Sequence, residues 1–325
     1  MRHFVHKTGP LTTDEVYNIL LEEEKKRETQ FINYKDLEVI PFDAEGQMYF
    51  KIGKNQFQLS GLASNQFHQF LGVPERYAKK CPSNLGLTNY NHWMEESPDA
   101  VFRLRIRGNE IFGITTEHYK EIKDVDFFEK VAQKLSKLSV RELACNGERT
   151  IIRLTEQNPL VGKDSKQVGE AYAGVQLMNS EFGTCSLSMK TLLFILVCTN
   201  GLIIPKGLNA VKSVHRGEQI EKFVNGVDNK VDSLLRDADG LMVASAQRNK
   251  AVPGWDNDDQ FFSYMQGEMV PKKFTTKVLE EVDSKKQIRS AWNIGMAITH
   301  ESQKENLSNR AVYDEMASRI ILARK

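Results

Sequence analysis

Hydrophobic positions alternate along much of the chain before residue 215 and recur every three or four residues after it. In "VFRLRIRG", residues 101 to 108, Phe102, Leu104 and Ile106 fall on one side of an extended chain and Arg103, Arg105 and Arg107 on the other. That spacing predicts a half-buried strand with an apolar inside and a cationic outside. Gly108-Asn109 and the alternating "EIFGITT" behind it predict a hairpin. "LEVIPFDAEGQMYFKIGKNQFQLS", residues 37 to 60, reads as short strands punctuated at Gly46 and at 53 to 55. Further strands are expected in "VRELACN", "RTIIRLT", "AYAGVQLMN" and "TCSLSMK".

Helical spacing appears at 14 to 30, from about Ser64 to Gly72, and in "DVDFFEKVAQKLSKL", where Asp126 and Glu129 suggest a capping box. The charge run of the first of these reads as a solvated face. From Glu218, Ile220, Phe223, Val224, Val227, Val231 and Leu234 predict a long helix to about Asn249, and helical patterns continue to the end. The expected fold is α+β: antiparallel sheet with flanking helices over residues 1–215, and a helical part over 216–325 packed on or extending from it.

The chain has 325 residues, 40% hydrophobic and 27% charged, enough to bury one large core or two smaller ones. Lys plus Arg is 44 against 43 for Asp plus Glu, so bulk charge does not drive nucleic-acid binding and only local basic patches qualify. Cys81, Cys145, Cys185 and Cys198 include no C-x-x-C pair, which fits a reducing compartment without a zinc ribbon or disulfide framework. The longest apolar run, at 192 to 198, is too short to span a bilayer, and a cytoplasmic location without membrane contact is expected.

Phosphate-loop, nucleophile-elbow, H-E-x-x-H and dinucleotide fingerprints are all missing, so catalysis has no motif to rest on and neither a cofactor nor a metal is expected. His3 and His6 form an H-x-x-H without a companion carboxylate motif, and nothing orients Cys198 toward His215 as a nucleophile pair. Two constellations stand out. Arg103, Arg105, Arg107, Arg149, Arg153, Lys190, Lys212, His215 and Arg216 lie on or beside expected strands; together they would track a phosphate backbone, unless neighbouring glutamates pair them. Asn179, Ser180, Glu181, Thr199 and Asn200 sit in apolar surroundings, either as turn residues bonding local backbone or as a polar pocket.

"LGVPERY", "NSEFG", "CTNG" and "SVHRG" give the chain a resemblance, over about residues 55 to 300, to a family of phages and plasmids described as phage/plasmid-like proteins, or domain of unknown function 932. The positions that carry it are Leu71, Pro74 and Tyr77; Asn179, Ser180, Glu181 and Gly183; Cys198, Asn200 and Gly201; and His215. The chain departs from the family at Thr184, where a second small residue is usual, and at Ile195 or Leu196, where an arginine often falls. The resemblance implies an accessory protein of a mobile element in a bacterial host, with no established chemistry. In that setting the first expectation is a homo-oligomeric DNA-binding protein, single strands preferred, for annealing, recombination or replication. Arg103, Arg105 and Arg107 would hold phosphates, with Tyr119 or Tyr172 stacking on bases. The alternative is a protein-binding module that inhibits a host defence complex.

Overall fold

The computed structural model describes residues 5–44, 46–96, 99–160, 170–195, 200–203, 211–213, 219–246, 252 and 255–322. Along the chain these form β1 (Val5–Leu11), α1 (Thr13–Lys25), β2 (Glu28–Asn33), β3 (Leu37–Ile40), β4 (Tyr49–Ile52) and β5 (Asn55–Leu59). Next come α2 (Gly61–Phe70), α3 (Glu75–Ala78), α4 (Ser83–Glu95), the hairpin β6 (Val101–Arg107) and β7 (Glu110–Thr116), and α5 (Asp124–Ala132). They are followed by β8 (Ser139–Cys145), β9 (Thr150–Thr155), β10 (Ala171–Asn179), β11 (Leu187–Ile195), β12 (Asn200–Ile203) and β13 (Val211–Ser213). Helices α6 (Gln219–Ala246), α7 (Asp258–Gly267), α8 (Lys272–Ser284), α9 (Ala291–Ser302) and α10 (Leu307–Leu322) complete the chain. The α+β expectation holds, with two mainly antiparallel sheets and a helical carboxy-terminal part.

The larger sheet runs β1-β8-β9-β10-β11-β12, with β13 also on β11; the smaller runs β2-β6-β7-β5-β4-β3, its β5–β7 pair being parallel. One face of the larger sheet buries Leu143, Ile152, Leu154, Val175, Leu177 and Met189 against Val16 and Leu20 of α1, Phe127 and Phe128 of α5, and Phe223 and Val227 of α6. On its opposite face Ala144, Ile151 and Met178 meet Leu307 and Ala311 of α10. Gly174 of β10 lies opposite Thr155 of β9, where a Cβ would stand 2.2 Å from the Leu154 carbonyl oxygen, so only glycine fits. The smaller sheet packs Phe50, Leu59, Phe102, Leu104 and Ile111 onto Phe67 of α2 and Tyr90 and Met94 of α4.

Several local expectations change. Helix α2 begins at Gly61 because Ser60 caps it, its Oγ accepting from the Ala63 N–H. Asn200 and Gly201 are not the turn itself; they open β12 opposite Ile195 and Phe194. Helix α5 has no local side-chain cap at Lys123, and the expected Asp126–Glu129 box is replaced by Glu181, whose Oε1 accepts from the Asp124 N–H at 2.9 Å. Cys198, His215 and Arg216 lie outside the described residues. Among those described, no helix is long and apolar enough to cross a membrane.

Candidate functional site

The arginine face of the strand is largely covered: Arg105 is buried, and Arg103 and Arg107 are half-buried. The polar face of β6 is closed by the carboxyl end of α1, by the 117–124 segment and by the turn after β10. Arg103 bonds the Tyr119 carbonyl at 3.0 Å and lies 3.7 Å from Glu121. Arg105, 2% exposed, donates to Glu24 at 2.6 Å and to Thr29 Oγ1, and approaches Glu121 at 3.4 Å. Arg107 donates to the buried Glu23 at 3.0 Å. Alternation identified the side of the strand correctly but could not show what covers it. The charge run of α1 is a solvated face only in part: Glu22, Lys25 and Lys26 are exposed, while Glu23, Glu24 and the following Arg27 turn inward.

Arg27 lies at the centre of this joint, its side chain 2% exposed and its Nη1 2.5 Å from Glu181 Oε2. A β-bulge helps to make the joint. Gly113 pairs with Arg105 and Ile111 with Ile106, which leaves Phe112 as the extra residue, and the guanidinium carbons of Arg27 and Arg107 each lie 5.5 Å from its ring centre. Phe182 packs edge-on to Phe112, with its ring on Gly113, where a Cβ would come within 2.4 Å of it. Gln66 of α2 ties the two layers together, donating to the Phe182 carbonyl and accepting from the Ile114 N–H.

The "NSEFG" residues therefore have specific positions. Asn179 Nδ2 donates to Asp124 Oδ1 and to the Ile122 carbonyl, each at 2.8 Å. Ser180 Oγ donates to the Glu148 carbonyl and accepts from the Phe182 and Thr184 N–H groups. Gly183 adopts φ +70° against the Tyr119 ring. Burial and the neighbouring Asp124 push Glu181 up to about 8, against the pull of Arg27; burial raises Asp124 as well. Both oxygens of Glu181 accept from fixed donors, Arg27 and the Asp124 N–H, and Asp124 Oδ1 accepts from Asn179. Asp124 Oδ2 in turn accepts from the Thr150 hydroxyl at 2.6 Å.

The remaining basic candidates lie elsewhere. Arg153, 1% exposed, is on the far face of the larger sheet with Gln176, Glu142 and Asp314, and Lys190 pairs with Glu315 of α10. Arg149 reaches the Thr184 carbonyl. Tyr172 is buried beneath Arg141, and Tyr119 is half-buried with its ring edge against Gly183. A polar cleft of about 360 Å³ opens beside Arg107, between α2 and the β8–β9 turn, with Gln47, Gln58, Ser60, Glu110 and Glu148 among its walls. Ser60 Oγ is committed to the Ala63 N–H and the Phe112 carbonyl, so the cleft offers no free nucleophile.

Exposed binding chemistry of another kind lies at the α3–α4 corner. Pro74 caps α3, and behind it Arg76, Tyr77, Lys79 and Lys80 are exposed, Tyr77 to 51%. Lys79 pairs with Glu75 on the surface, while among the described residues no carboxylate pairs with Arg76 or Lys80. Helix α4 begins at once behind them, with Pro82 as its N-cap residue and no side chain capping its first N–H groups. Leu85 and Leu87 on α4 are 47% and 40% exposed. Sequence patterning identified Tyr77 only through the family resemblance, because a four-residue helix leaves almost no periodicity. No family model, curated protein or solved structure matches the chain.

Proposed function

We propose that the protein binds single-stranded nucleic acid through the α3–α4 corner and not through the arginine strand. The observation that carries this reading is the exposed run Arg76, Tyr77, Lys79 and Lys80 set before an uncapped helix start. Helix N–H groups and lysines both favour phosphate oxygens, and an exposed tyrosine offers a ring on which a bare base can stack. The phage and plasmid setting implied by the resemblance suits a protein that handles single strands in recombination or replication. Leu85 and Leu87 on the same helix favour a second reading, a protein partner such as a host defence complex.

Fluorescence anisotropy with labelled single-stranded and duplex DNA across a salt series separates the two. Affinity for the single strand is expected to fall with salt, and Arg76→Ala/Lys79→Ala/Lys80→Ala to make the log–log slope shallower by about 2, at roughly 0.7 per phosphate contact. Tyr77→Ala is expected to lose about 1–3 kcal/mol with the slope unchanged. No binding at low salt, or a triple variant that binds like the natural chain, would overturn the nucleic-acid reading and leave the protein partner.

A further inference from the structure

A second cluster of polar groups lies far along the chain from this corner, where the last turns of α8 and α9 meet. His300 Nδ1 stands 3.2 Å from Glu281 Oε1 and 3.4 Å from Glu301 Oε1, and the three atoms all lie within 4.8 Å of one another. We propose that Glu281, His300 and Glu301 form a binding site for a divalent transition metal of the zinc class.

Ligand atoms of a tetrahedral site with bonds of ~2.1 Å stand roughly 3.4 Å apart, and two of the three edges already have that length. One imidazole with two carboxylates is a donor set that suits zinc or cobalt better than calcium or magnesium, which prefer oxygen alone. The side chains differ in exposure in a useful way: Glu301 is 5% exposed, Glu281 16% and His300 35%. The carboxylates are thus the more buried ligands and the imidazole the most exposed of the three. Lys285 and Lys304 cover the two carboxylates at 2.5 and 2.6 Å. Both lysine side chains are about half exposed, so a divalent cation can displace their ammonium groups into water. The bound metal would clip α8 to α9 on the exposed side of the core that Val278, Val282, Ile294 and Ile298 form.

The test uses the full chain and cobalt(II), whose visible absorption intensifies on four-coordination, followed by displacement with zinc. The natural chain is expected to bind one equivalent more tightly than about 0.1 mM and to melt at a higher temperature when loaded. His300→Ala and Glu301→Gln should each weaken binding at least tenfold, and Lys285→Ala/Lys304→Ala should tighten it. A melting curve of each metal-free variant confirms that the fold persists. Absence of the four-coordinate band, or an affinity unchanged in both His300→Ala and Glu301→Gln, overturns the site.

Discussion

Replacing Arg153 by methionine is expected to destabilise the fold by about 3–5 kcal/mol, read from urea denaturation as a fall in midpoint. Arg153 donates to Gln176 at 3.0 Å, Glu142 at 2.9 Å and Asp314 at 2.6 Å, and Arg310 adds a second guanidinium at 2.5 Å from Glu142. Two positive and two negative side chains are thus balanced with almost no water, and this cluster fastens α10 to the larger sheet. Burial alone would raise Glu142, but Arg153, the His6 hydrogen bond and Arg310 outweigh it and hold the carboxyl well below the usual range. Removing Arg153 leaves two buried carboxylates to one arginine. Arg153→Met/Asp314→Leu, which removes a whole pair, is expected to recover part of the loss; a single variant as stable as the natural chain would show that the cluster does not fasten the helix.

Glu181→Ala should have a comparable effect, about 3–5 kcal/mol, because it strands the Arg27 guanidinium and the Asp124 N–H in the joint between the sheets. Asp124→Asn should behave differently: the amide keeps the shape, can still accept from Asn179, and removes the charge that raises Glu181. The same variant exposes the pH dependence. Folded Glu181 holds its proton up to about pH 8, whereas in the unfolded chain it releases it near the ordinary value of 4.5. A raised folded affinity stabilises below the unfolded value and is lost as pH rises through the folded one. Stability from this pair should therefore decline between about pH 5 and pH 8, by at most about 1.4 kcal/mol per pH unit for one proton. Asp124→Asn should flatten that slope in urea midpoints measured across the range. An unchanged slope would place the proton elsewhere.

Elements with a strong period were legible in the sequence, and what lies across from them was not. The β6–β7 hairpin, the strands of the larger sheet and the long helix α6 follow from periods of 2 and 3.6 that hold for a full element. The arginine row was legible as one face of a strand, but its covering carboxylates come from α1 and from the segment around Glu121, at sequence separations that no local pattern encodes. The same limit explains α5, whose cap arrives from Glu181, 57 residues away. Arg153 and Lys190 looked like outer-face cations because a charged residue in a strand is usually exposed. Strand β9 is buried on both faces, and its charge is balanced by a helix 161 positions later. The dense polar set around Asn179 was visible as residues in need of partners, and those partners are local backbone together with Asp124 and Arg27.

The arginines of β6 are bound internally and hold the two layers together. A double-mutant cycle on Arg105 and Glu24, 2.6 Å apart, tests it most directly, using Arg105→Met, Glu24→Gln and the pair, each read by urea denaturation at pH 7. An internal, desolvated pair predicts a coupling of at least about 1.5 kcal/mol that changes little with added salt. A coupling below about 0.3 kcal/mol, the value of an exposed pair, would contradict the account and return the arginine strand to the surface as a candidate for phosphate.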